Sequence, residues 1–185
     1  AEGGELNVVG TLTHDYFYAI HGDITVQGGK LNVDVDATFG SNYQGYGIWG
    51  GVELTDESQN VKVNVNIDVG GAGYGRVYGI YNGGLYYTEE DDSVTYPSAT
   101  VSVNVTGTKD VAVEAFSSID IQSENADIDI VAVASNNSSE TKSRYAVNDL
   151  STFDVGQNVT LNCTGWVRRG GFTDDWGFNG HMQTT

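Results

Sequence analysis

The fold class this sequence predicts is all-β: a right-handed parallel β-helix, that is, a β-solenoid of about five coils of 28–34 residues with three strands each. Three observations predict it. Tyr46-Gly47-Ile48-Trp49-Gly50-Gly51-Val52-Glu53-Leu54 returns 32 residues later as Tyr78-Gly79-Ile80-Tyr81-Asn82-Gly83-Gly84-Leu85-Tyr86-Tyr87, and self-similarity at a period of about 20–50 residues marks a repeat protein. Two marker rows keep the same step. Ile20, Ile48, Ile80, Val113 and Val147 advance by 28, 32, 33 and 34 residues, while Val26, Leu54, Tyr87, Ile121 and Val155 advance by 28, 33, 34 and 34. Finally, apolar and polar residues alternate with period two, the pattern of strands with one buried face, and helical spacing is absent.

Taken in order, the chain opens on a strand, because Gly3-Gly4-Glu5-Leu6-Asn7-Val8 repeats in Gly28-Gly29-Lys30-Leu31-Asn32-Val33. The first full coil takes strands at 18–20, 24–26 and 31–35, the second at 46–48, 52–54 and 61–67, the third at 78–80, 85–87 and 101–105. The fourth takes 111–113, 119–121 and 128–130, the fifth 145–147, 153–155 and 159–163. Val, Ile, Tyr and Thr fill these segments, and Gly, Asn, Asp and Ser fill the turns between them. Trp176-Gly177-Phe178-Asn179-Gly180 begins another copy, so residues 1–185 are expected to form one uncapped segment of a longer rod. Within it, residues 88–98 widen the period and are expected to project as an acidic loop. Ile24, Val52, Leu85, Ile119 and Phe153 would stack inward, as would Val35, Val65, Val105 and Ile130; Asp34, Asn64, Asn104, Asp129 and Thr160 would align outward. The fallback fold is an antiparallel β-sandwich, which accommodates short strands but gives no reason for a position-by-position repeat.

Composition narrows the function. Eight basic residues against 25 acidic ones give a net charge of −17, which disfavours nucleic acids and anionic membranes and leaves cations, basic partners and neutral glycans. The lone Cys163 excludes an internal disulfide and falls on an inward position, as a small core residue would. No run reaches the length of a transmembrane segment. His14, His21 and His181 belong to different coils, and no nucleophile elbow, phosphate loop or His-Glu-x-x-His pattern occurs, so an enzyme is not expected.

The aromatic residues carry the sharper expectation. Tyr18, Tyr46, Tyr78 and Tyr145 begin the first strands of their coils, and His21, Trp49 and Tyr81 follow those strands at an equivalent place. Such a strip can stack on sugar rings while Asp34, Asn64 and Asn104 supply polar contacts; the same rings would equally serve as corner packing. Glu89, Glu90, Asp91 and Asp92 offer oxygen ligands for Ca²⁺ without the spacing of an EF-hand or a calcium β-roll, and no other cofactor is implied. Asp34, Asp36, Asp127 and Asp129 are the acids a polysaccharide lyase or hydrolase would draw on, with only Lys30 and Lys62 near them.

The Tyr-Gly-Ile unit, the Gly-Gly-x-Leu-Asn-Val segment at Gly28 to Val33 and the long alternation from Val61 to Val69 resemble the β-helical passenger domains of bacterial autotransporters and related surface adhesins. The resemblance implies a secreted, extracellular rod at the bacterial cell surface. It would act by attachment to a host receptor or glycan, or by self-association with like chains in aggregates and biofilm. A glycan-binding module is the alternative, and a polysaccharide lyase or hydrolase the second alternative.

Overall fold

The computed structural model describes residues 4–13, 16–39, 43–71, 74–87, 95–108, 110–121, 123, 125–136, 143–148, 153–155, 158–168 and 176–183. Alternating apolar and polar residues make thirteen strands of them, and no helix occurs among the described residues. They are β1 (Glu5–Leu12), β2 (Tyr16–His21), β3 (Ile24–Phe39), β4 (Tyr43–Gly71), β5 (Gly75–Tyr87), β6 (Ser98–Gly107) and β7 (Val111–Phe116). There follow β8 (Ile119–Ile121), β9 (Asp127–Asn136), β10 (Arg144–Asn148), β11 (Phe153–Val155), β12 (Val159–Arg168) and β13 (Trp176–Gln183).

All thirteen belong to one sheet. β4, β6, β9, β12, β10, β7 and β5 pair in that order, and β5 pairs back to β4, so seven parallel strands close a barrel. The others attach to this ring: β2 and β3 to β4, β1 to β3, β8 to β5, β11 to β8, and β13 to β12. Closure removes free edges from the ring strands.

This architecture corrects the expected right-handed β-helix. The chain is a closed parallel barrel with added strands, not a β-solenoid built from stacked repeats. A repeat step determines which residue lies beside which, but not where one sheet stops and another begins. The turns expected between strands are crossed without interruption: β4 runs for 29 residues straight through positions 55–60, and β3 for 16 residues through Gly28-Gly29. Register shifts between Val26 and Lys30 and between Trp49 and Gly51 absorb the bends as bulges. Because β4 belongs to the ladders of both β5 and β6, the sheet meets itself and closes. The sandwich fallback fails too, since every pairing except β12 with β13 is parallel. β13 also departs from expectation. The Trp176-Gly177-Phe178 copy runs antiparallel to β12 instead of joining the tyrosine row.

The core follows from the register. Leu31, Val63, Val101, Ile130 and Leu161 lie side by side on five strands, as do Val33, Val65, Val103, Ala132 and Cys163, and all ten are buried. A second wall contributes Val52, Leu85 and Ile119. The walls meet at glycines. A Cβ on Gly47 would stand 2.8 Å from Val65 Cγ1 and 3.0 Å from Ile67 Cδ1, and one on Gly79 would collide with Val103 Cγ1 and sit 2.6 Å from the Ala115 carbonyl oxygen. The glycine of each Tyr-Gly-Ile unit is therefore the space that valines of the facing wall occupy.

Candidate functional site

The Tyr-Gly-Ile unit places its tyrosine on the opposite side of the wall from its glycine. Parallel pairing puts Tyr18, Tyr46 and Tyr78 in register on β2, β4 and β5. Their rings stack, with centroids 5.2 Å apart at 11° for Tyr18 and Tyr46 and 5.0 Å apart at 8° for Tyr46 and Tyr78. Three residues further along each strand lies a second row, His21, Trp49 and Tyr81, also in register. His21 and Trp49 are parallel to within 1° with centroids 6.4 Å apart, and Trp49 and Tyr81 lie 5.3 Å apart. The rows interlock. Trp49 stands edge-on to Tyr46 at 4.5 Å, and Tyr81 lies 4.3 Å from Tyr78.

Tyr46 is 1 % exposed, yet it lies outside the continuous apolar core and is covered by other rings. This burial is the first cause of the upward shift of its phenol pKa, and its hydrogen bond with Tyr16 adds to it. Trp49 and Tyr81 are half-buried, while Tyr16, Tyr18 and His21 are exposed. The strand then bends after Tyr81 into Asn82, whose φ of 65° is a left-handed conformation asparagine tolerates.

On the next strands the chemistry changes. The tyrosine row continues through Glu114 of β7, which pairs with Tyr78 on one side and Tyr145 of β10 on the other. Asn148 follows Val147, the partner of Phe116, just as Trp49 follows Ile48. Asn148 Nδ2 donates to Glu114 Oε2 at 2.8 Å. Glu114 is only 7 % exposed, and its Oε1 and the Asn148 Oδ1 have no hydrogen-bond partner among the described residues. Burial pushes the Glu114 carboxyl up from 4.5 to about 7; the bond from Asn148 and the charge of Arg76 pull it down less strongly.

Glu114, Asn148, Arg76, Tyr78, Tyr81 and Tyr145 face an open groove of about 790 Å³ on this wall. Arg76 is held beside Tyr78 by a hydrogen bond, the largest cause of its upward shift. Because Tyr78 and Tyr81 belong both to the aromatic rows and to the groove, strip and groove form one surface. Apolar faces in line with buried polar groups can hold a flat ring with polar edges.

Of the residues singled out from sequence, His21, Trp49 and Tyr81 come together as one row. Asp34, Asn64 and Asn104 do not join them: they sit on β3, the second half of β4 and β6, in a separate ladder. Nor do those three align with one another. Asp34 pairs with Asn66 and through it with Asn104, whereas Asn64 pairs with Asn32 and Ser102. Asn64 Nδ2 donates to Asn32 Oδ1 at 2.8 Å, and Asn32 Nδ2 donates to Asn7 Oδ1 at 2.8 Å, so this ladder uses its amides internally. Glu89, Glu90, Asp91 and Asp92 lie outside the described residues, as does His14. Among the described residues no three metal-ligating side chains converge.

Glu114, Asn148 and Arg76 are what the sequence reading missed. Aligning Val113 with Ile80 hid Glu114, because the residue beside Ile80 is Phe116 and the shift of three moves Glu114 onto the tyrosine row. The signal was present in Glu114-Ala115-Phe116, which keeps the small-then-apolar ending of the Tyr-Gly-Ile unit and puts a carboxylate in place of its tyrosine. No family model, curated protein or solved structure matches the chain.

Proposed function

We propose that this chain is a glycan-binding module of an extracellular bacterial surface protein, and that it attaches to carbohydrate along the aromatic strip and the groove that continues it. One observation carries the reading: Tyr18, Tyr46 and Tyr78, and beside them His21, Trp49 and Tyr81, form two registered rows that lead into a groove walled by Glu114, Asn148 and Arg76. Successive strands lie about 4.8 Å apart, so the rungs from His21 to Asn148 extend over about 19 Å, long enough for several linked sugars. A net charge of −17 favours neutral or cationic glycans over anionic ones.

Surface attachment and self-association through other faces stay compatible with this reading, but no site as well defined among the described residues supports them. An array of neutral and amino glycans probed with the wild type and with Trp49→Ala tests it. The expected result is binding that falls at least tenfold in the variant; wild-type protein that binds no glycan sinks the proposal.

A further inference from the structure

The rung that breaks the aromatic ladder has the wrong chemistry for packing alone. Where Tyr46 meets Trp49 and Tyr78 meets Tyr81, a ring covers a ring. One rung on, Glu114 meets Asn148 from the neighbouring strand, and each keeps one acceptor oxygen without a partner among the described residues. A buried acceptor without a donor is destabilising. With Glu114 ionised, both open atoms are acceptors. Both residues line the groove, and the terminal torsion of a glutamate is soft enough to turn its carboxyl toward a donor there.

We infer that this part of the groove takes a protonated amine, the ammonium of an amino-sugar unit, which donates to Glu114 Oε1 and Asn148 Oδ1 beside Tyr78 and Tyr145. The inference deepens the glycan-binding reading and rests on it. A primary ammonium brings three donors and no acceptor, the complement of two open acceptors. A neutral hydroxyl brings one donor and adds acceptors of its own. Aromatic faces on the flanking strands attract a cation, and Asp110 on the same groove adds negative charge. Arg76 opposes it, but its guanidinium is exposed and held at Tyr78. An arriving cation also favours the ionised form of a carboxyl that burial has made reluctant to ionise.

The test is calorimetric titration of the whole chain with a glucosamine hexamer and with its N-acetylated counterpart, which lacks the ammonium. The wild type is expected to bind the amino oligomer at least tenfold more tightly. Glu114→Gln, close in shape, is expected to erase that preference; Asn148→Ala provides a second variant. Equal binding of both oligomers by the wild type overturns the inference and leaves the glycan-binding reading standing. A preference that survives in both folded variants also overturns it. Binding of neither oligomer overturns it as well, and the wider glycan array with Trp49→Ala then decides the parent reading separately.

Discussion

Asn148 donates a 2.8 Å hydrogen bond across the strands to Glu114, where the matching cross-strand pair earlier in the ladder, Tyr46 with Tyr81, is ring against ring. That single exchange of aromatic pair for polar pair turns a packed wall into a wall with an open, buried carboxyl. It has a measurable cost. Folding raises the Glu114 pKa from 4.5 to about 7, so between those values the native state holds more of this proton than the unfolded chain does. Stability from this group therefore falls as pH rises from 4.5 to 7, by on the order of 3 kcal/mol at most. Urea titrations at pH 5 and pH 8 are expected to show a smaller loss in Glu114→Gln than in the wild type. An equal loss in the two would contradict the assignment.

Trp49 and Tyr46 separate binding from stability. Tyr46 is buried under other rings, and Tyr46→Ala is expected to cost about 3 kcal/mol or more. Trp49 is half-buried at the surface of the strip, and Trp49→Ala is expected to lose less stability and more glycan affinity. Chemical denaturation and calorimetry on both variants check the split.

Gly47 and Gly79 are filled from across the barrel by valines, so alanine at either is expected to overpack the interior by about 1–3 kcal/mol. Gly70 is the control. A Cβ there finds nothing nearer than 3.8 Å, and Gly70→Ala is expected to leave the melting temperature within a degree or two.

Ser58 is buried and joins two segments: it donates to the Val26 carbonyl at 2.6 Å and accepts from the Thr55 amide at 2.7 Å. Ser58→Ala strands both backbone groups and is expected to cost about 1–3 kcal/mol, whereas Ser58→Thr keeps the hydroxyl. The difference between their denaturation midpoints is the readout.

Cys163 is buried beside Ala132 in the core ladder, and burial pushes its thiol up to about 12. A thiol reagent at pH 8 is expected to modify it only on the timescale of unfolding. Immediate modification of the native protein would show that the core at β12 is open.

Much of the local pairing was legible in the sequence, and the closure was not. The row Ile24, Val52, Leu85, Ile119 and Phe153 is found in register because the second marker set has nearly constant spacing. In the third set a constant step sets Asn64 beside Asp34, two residues from its true partner, because bulges near Gly28 and the long insertion before β6 break the spacing. Spacing also says nothing of whether a strand bends or ends, so the continuous course of β4 through both ladders stayed hidden, and with it the barrel. At the site, ring residues announced themselves by recurrence. Glu114 did not, since it stands out only once Phe116 is known to be the neighbour of Ile80.

Titration calorimetry with one glycan series of increasing length tests the central claim most directly. If the strip and groove are one surface, affinity should rise from monosaccharide to hexamer and the gain should disappear in Trp49→Ala. A monosaccharide bound as tightly as the hexamer, or a length dependence untouched by Trp49→Ala, would contradict it.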